Sequence, residues 1–304
     1  MNQWRWGLAA LAAAAGAAAM GVAAQGPDWS NVEIRVERVA PGVAVLFGRG
    51  GNIGLSYGAD GNVIIDDQYA PLTDKVIAAV RSVDPDPIRF VVNTHWHGDH
   101  TGGNENVGAT GAVIVAHENV RRRMSVGQML RGEQVPPAPS GALPVVTFTD
   151  DVSFHLNGDD IRVHHVEHAH TDGDALVYWT RANVLHMGDT YFNGILPFID
   201  LESGGSVDGY IAAVEQGLRI ANDRTVIIPG HGPVATRANL QAFRDMLVEL
   251  RTRVAAEIRA GRSLEQVKAL RLADRYGRPT DFISPDSFIE TLYRDLSRDR
   301  GQRG

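Results

Sequence analysis

The chain has 304 residues, 44% of them hydrophobic and 21% charged, enough apolar chain to bury the core of one large domain or two small ones. The formal net charge is −7 with a pI near 5.9, and Lys75 and Lys268 are the only lysines, so there is no basic field to attract phosphates and nucleic acid is not an expected partner. Cysteine is absent, which excludes disulfides and thiolate ligands; any metal site must use His, Asp and Glu.

Residues 1–24 read as a cleaved export signal. Arg5 precedes an Ala/Leu/Gly run that ends in the small-x-small triplet Val22-Ala23-Ala24, so Gln25 begins the mature chain, which is expected to be periplasmic or secreted. Alanine and glycine supply little of the transfer energy a spanning helix needs, so no stable membrane association is expected after cleavage. Strands follow at 33–39, 43–47, 53–57 and 62–66, separated by Gly-rich turns, as an antiparallel meander. A helix with proline in its first turn spans 71–83, and apolar strands are expected at 88–93 and 112–116.

Residues 118–143 are less regular. A basic helix around Arg121, Arg122 and Arg123 gives way to a proline-rich loop over 132–141, of the kind that borders active sites. A second meander takes in 145–148, 152–156, 161–166, 176–179 and 184–187. Helices are expected at 207–220, 238–260, 264–272 and 287–296, with one strand at 225–228. Two strand-rich halves, each closed by helices, suggest two sheets packed face to face.

The chemistry-bearing residues sit where strands stop. The stretch 94–100 reads Thr-His-Trp-His-Gly-Asp-His, with His95, His97, Asp99 and His100 following a buried strand. His170 lies after the strand at 161–166, Asp189 straight after 184–187, and His231 straight after 225–228, each at a Gly or a turn. The spacing of the first group lets two imidazoles address one metal while Asp99 and His100 turn toward a second.

The full string Thr-His-x-His-x-Asp-His at 94–100, followed in order by the later His, Asp and His elements, resembles the metallo-β-lactamase fold superfamily of zinc hydrolases over roughly residues 32–255. The resemblance implies an α/β fold, an αββα sandwich of two mixed β-sheets flanked by helices. The hydrolase domain would span 25–261, with 262–304 a helical extension packed on it. It also implies two Zn2+ per chain: His95, His97 and His170 on one, Asp99, His100 and His231 on the other, and Asp189 bridging. Imidazole and carboxylate suit zinc, which lowers the pKa of a bound water to about 7 and so supplies a nucleophile at neutral pH. Asp99 would orient that nucleophile and carry its proton.

Where many lactamases of the superfamily place Cys or Ser, this chain has Asp189, as in glyoxalase II, lactonases and related esterases; Phe192 stands where some carry a substrate-binding Lys. Glyoxalase II is cytosolic and reads its glutathione thioester with basic C-terminal residues, which fits an exported chain badly. The expected substrate is a small molecule, with β-lactam ring opening first and a lactone, thioester or other activated ester as the alternative. Oligomeric state is not legible. The loop 191–200 is expected to line the cleft, with Tyr191 and Asn193 as candidate oxyanion donors, plain packing beneath the loop being the alternative.

Asp66 and Asp67 are either partners of ligand imidazoles or ordinary turn aspartates. Trp96 is expected to be a buried wedge, His186 a packed and hydrogen-bonded histidine, His117 and His155 structural or surface residues, and His168 a lesser candidate for supporting the ligands. An RNA-processing nuclease uses the same metal string, but the acidic charge, the scarcity of lysine and the expected export argue against it. A non-catalytic metal-binding protein would turn over no substrate with zinc in place.

Overall fold

The computed structural model describes residues 28–301, with side chains through Arg298; the expected export signal lies outside the described residues. The chain divides into Met1–Asn31 and Val32–Gly304, and the described strands and helices belong to the second unit. Among the described residues no helix is long and apolar enough to cross a membrane.

The first sheet opens as the expected meander: β1 (Arg35–Ala40), β2 (Val43–Phe47), β3 (Ile53–Ser56) and β4 (Asn62–Ile65) pair antiparallel in turn. Helix α1 (Thr73–Val83) carries the chain over to β5 (Ile88–Asn93), which runs parallel to β4. Two short helices, α2 (Gly98–Thr101) and α3 (Asn104–Gly108), precede β6 (Val113–His117), again parallel. Helix α4 (Glu118–Met124) then leads into a small hairpin, β7 (Gln128–Leu130) with β8 (Glu133–Val135). The expected loop over 132–141 is therefore partly a hairpin, with Arg131 and Gly132 at its tip in the left-handed region, φ 54° and 83°.

β9 (Val146–Phe148) corrects the sequence-based assignment. It is not the first strand of the second meander; it pairs parallel with β6 and completes a seven-stranded first sheet in the order β1-β2-β3-β4-β5-β6-β9. The physical reason is the long connection through α4 and the hairpin, which is what a parallel return requires, whereas antiparallel neighbours need only a short turn.

The second sheet has five strands: β10 (Asp151–Leu156), β11 (Asp159–His165), β12 (Ala175–Trp179) and β13 (Val184–His186) in antiparallel sequence, and β14 (Val226–Ile228) parallel to β13. Both sheets are thus mixed. Alternation along the strands decides which layer each side chain joins. Val43, Val45, Val63, Ile65 and Val92 of the first sheet pack with Ile161, Val163, Val177, Trp179 and Ile228 of the second, forming the interface between sheets. Leu176, Leu185 and Ile227 point the other way, into a helical layer built by α5 (Val207–Ile220), α6 (Arg237–Arg259), α7 (Leu264–Lys268) and α8 (Pro285–Gly301).

Helix α6 shows why that layer holds. Leu240, Phe243, Met246, Leu247, Leu250, Val254 and Ile258 recur at three- and four-residue spacing and are all buried, each worth roughly 1.5–3 kcal/mol of transfer free energy. A capping box, Thr236 with Asn239, fixes its start, and a second, Ser263 with Gln266, fixes α7. Phe288, Ile289 and Leu292 of α8 enter the same core. Helix α1 buries Val76, Ala79 and Val80. The result is helices, sheet, sheet, helices, as expected, with the ends of β5, β13 and β14 and the β11–β12 loop supplying the residues described next.

Candidate metal centre

Six strand-end residues converge on the seventh, Asp189. His95, His97, His170 and Asp189 form one group and Asp99, His100 and His231 another, with the donor atoms of each group within 4.8 Å of one another. Asp189 Oδ2 lies 3.8 Å from His95 Nε2 and 3.5 Å from His170 Nε2. Its other oxygen, Oδ1, lies 3.1 Å from His100 Nε2 and 3.4 Å from His231 Nε2. One carboxylate therefore addresses both groups, an oxygen to each.

The hydrogen bonds behind the rings reveal where the imidazole protons sit. His97 directs Nε2 to the Asp200 carboxylate at 3.0 Å, and His170 directs Nδ1 to the carbonyl of Phe198 at 2.8 Å. His100 Nδ1 donates to Asp66 Oδ2 at 2.7 Å. Thr94 Oγ1 gives its own proton to Asp66 Oδ2, so it accepts from His95 Nδ1 at 3.0 Å. Each of these four outer nitrogens meets an acceptor and carries a proton, so the neutral forms of His95, His97 and His170 present their inner nitrogens as lone pairs.

Those lone pairs face one another. His97 Nδ1 and His170 Nε2 are 2.8 Å apart with no proton between them in these tautomers. His95 Nε2 is buried and makes no hydrogen bond. Buried polar atoms are seldom left without partners, and converging lone pairs repel, so the donor set fits divalent cations rather than a hydrogen-bonded network. Its chemistry, imidazole and carboxylate without thiolate, is what zinc accepts.

The local backbone is built to allow this convergence. Asp66 accepts from Thr94 N and Thr94 Oγ1 as well as from His100, and it holds a left-handed backbone (φ 65°) to do so. Gly51 and Gly230 are required by contact: a Cβ on Gly51 would stand 2.1 Å from His100 Cε1, and one on Gly230 would stand 2.0 Å from Asp189 Oδ1. Asn52 donates its amide to the carbonyls of Pro229 and Gly232, bracketing His231 from a loop of the other sheet. Tyr210 donates to the backbone carbonyl of Asp189.

Electrostatics divide the two groups. Burial pushes His170 down to about 4, and burial followed by the charge of His100 holds His95 well below the ordinary imidazole value. Burial also opposes the charge on His231 and His100, but the carboxylates of Asp189 and Asp99 outweigh it, lifting His231 to about 9 and His100 well above its ordinary value. Against the cost of burial, His100 and His231 keep Asp99 ionised, down to about 2, and hold Asp189 well below the usual carboxylate range.

A family model described as the metallo-beta-lactamase superfamily matches residues 46–231, more than half of the chain and every one of the seven donors. The chain belongs to the metallo-β-lactamase superfamily. Among its relatives are a hydroxyacylglutathione hydrolase of Polaromonas sp., 29% identical over 58% of this chain and 60% of that protein, and an atrochrysone carboxyl ACP thioesterase of Aspergillus chevalieri, 28% identical over 78% of this chain and 70% of that one. The chain thus spans about three fifths of the length of the first of these. Among solved structures it is similar to a metallo-beta-lactamase from Pontibacter korlensis, with a TM-score of 0.59, 20% identity, and coverage of 71% of this chain and 99% of that one. A sec-alkylsulfatase from Pseudomonas sp. superposes with a TM-score of 0.62 at 19% identity, over 86% of this chain and 50% of its own.

Above the donors of this superfamily member lies a cavity of about 450 Å³. Its walls include Phe192, Ile195 and Phe198 from the loop after β13, as expected, together with Tyr69, Arg49, Leu130, Arg131 and Phe282. Tyr191 and Asn193 do not line it, which corrects their expected role as oxyanion donors. Tyr191 is extended and buried against Phe243, ring centroids 4.9 Å apart, so the alternation of the chain turns Phe192 to the cavity instead. The Tyr191 hydroxyl is spent on Asn193 Oδ1, and Asn193 Nδ2 on the carbonyl of Pro233.

The remaining assignments sort by contact. Asp66 supports His100, whereas Asp67 accepts from Gly103 N and reaches no imidazole, its carboxyl raised well above the usual range by burial. Trp96 is buried and donates to Ser203 Oγ. His186 is packed between Asn52 O and Gly188 N. His168 is exposed and bonds to Gly204 O, away from the donors. Sequence reasoning missed Asp200, Asn52 and Arg131. Asp200 carried one signal, a carboxylate at the end of the loop that lines the cavity; the other two carried none.

Proposed function

We propose that the protein is an exported, zinc-dependent hydrolase that cleaves activated acyl bonds, with β-lactam ring opening as the leading activity and thioester or lactone hydrolysis as the second. The observation that carries it is Asp189, whose two oxygens each address a separate imidazole cluster. Zinc held there would supply Lewis acidity toward the scissile carbonyl and a nucleophile from water at neutral pH. The chain's own residues do the rest. His95, His97 and His170 would hold one ion, Asp99, His100 and His231 the other, and Asp66, Asp200 and the Phe198 carbonyl fix the tautomers that point the lone pairs inward.

Asp99 opens to the cavity together with His231, each side chain 24% exposed, and Asp99 stays ionised at any physiological pH. It is placed to accept the proton of the attacking water and return it to the leaving group. Phe192, Ile195 and Phe198 exclude water from one wall and present an apolar face to the substrate body.

Thioester hydrolysis is supported by the names of two sequence relatives, a hydroxyacylglutathione hydrolase and an atrochrysone carboxyl ACP thioesterase. Initial rates of zinc-loaded protein on a chromogenic cephalosporin, a homoserine lactone and a glutathione thioester decide between them. The cephalosporin is expected to be cleaved, and all activity to vanish on chelation. A cephalosporin rate no greater than that of chelated protein would remove the lactam reading, and no turnover of any of the three would remove the hydrolase reading.

A further inference from the structure

Arg131 occupies a costly position. It is a non-glycine residue in the left-handed region (φ 54°) at the tip of the β7–β8 hairpin, and glycine would hold that backbone without strain. Its guanidinium stands 4.6 Å from the ring centre of Phe282 and 6.0 Å from that of Phe198. Phe198 in turn stacks on His97, centroids 5.9 Å apart, and meets His170 edge-on at 5.7 Å. The Phe198 ring therefore links the Arg131 cation to the donor imidazoles, and Phe282, from the segment before α8, contacts both Arg131 and Phe198 while remaining 60% exposed. Arg49, from the loop between β2 and β3, lines the same cavity. Two arginines at the mouth of one site run against the net charge of −7 on the chain.

From this arrangement we propose that the site selects substrates bearing a carboxylate on an apolar body, with Arg131 receiving the carboxylate, Arg49 adding to its field, and Phe198 and Phe282 flanking the body between it and the scissile carbonyl. A guanidinium already stacked on rings keeps its in-plane N–H groups for a bidentate acceptor, which lysine cannot match. The segment before α8 thereby gains a role: Phe282 braces the receiving residue. The proposal rests on the hydrolase reading above, naming the substrate class of that same site.

The test pairs 4-nitrophenyl hydrogen glutarate with its methyl ester, assayed with the full-length, zinc-loaded protein. Wild type is expected to favour the free carboxylate by about tenfold in kcat/KM, the scale of one charge-assisted contact. R131A is expected to erase most of that preference, chiefly through KM, R131K to keep part of it, and R49A to reduce it less. Equal rates on both esters in wild type, or an R131A loss that falls on both esters alike, would overturn the proposal and leave Arg131 a packing residue. Should neither ester be cleaved, the hydrolase reading still rests on the three substrates named above, and the subsite is decided separately by calorimetry with 4-phenylbutyrate. Binding about tenfold weaker in R131A upholds it, and equal binding in the two proteins refutes it.

Discussion

The two clusters around Asp189 are made of nearly the same residue types and behave as opposites. His95, His97 and His170 lie deep, and burial keeps His95 and His170 neutral; His100 and His231 sit among carboxylates, which favour their charged forms. The deep cluster is thus prepared to accept a cation without first losing protons, while the rim cluster holds protons that a cation must displace. Similar imidazoles acquire different affinities through what stands behind them, and the carboxylate shared between the clusters couples them.

Removing the shared group should have the largest effect. Asp189→Ala is expected to lower kcat/KM by about a thousandfold or more and to cut the metal content of the purified protein, read by elemental analysis beside steady-state rates. Next come the supports. Asp66→Ala removes the acceptor behind His100 and the anchor of Thr94, and should weaken zinc binding about 10- to 100-fold in a competition titration. Asp200→Asn alters a side chain that hydrogen-bonds His97 alone among the ligands and should fall near the lower end of that range.

A third prediction separates the clusters by pH in chelated protein. His170, depressed to about 4, contributes stability that is full above about 6.5 and is lost as pH falls toward 4; His231, raised to about 9, contributes stability that is full below about 6.5 and is lost as pH rises through 9. Thermal unfolding from pH 4 to 10 should show both limbs, with His170→Asn flattening the acid limb and His231→Asn the alkaline one. If the two variants flatten the same limb, the electrostatic division of the clusters is wrong. The smallest effect is expected from Tyr191→Phe. The hydroxyl bonds Asn193 away from the cavity, so kcat/KM should stay within about twofold while stability falls by about 1 kcal/mol in denaturant unfolding.

Much of this site was readable before folding because its chemistry lies at strand ends. A buried strand that runs into His-x-His, or into Gly-Asp, announces both its direction and its ligand, and the sandwich brings those ends to one edge. What could not be read depends on contacts across the chain. Asp200 meets His97 over 103 residues and Asn52 meets the His231 loop over 177, and neither has a local pattern that records its partner. Tyr191 misled for a simpler reason: in an extended segment one step of alternation decides between cavity and core, and the sequence alone does not set the phase. β9 misled because a three-residue strand carries too little pattern to choose its sheet.

On the proposed function, Asp189 joins two cation sites in one hydrolytic centre. Elemental analysis of protein titrated with zinc and freed of excess tests it most directly. Two zinc ions per chain are expected, with activity on an activated acyl substrate rising as they bind. A protein that hydrolyses its substrate at full rate with no divalent metal present would contradict the account.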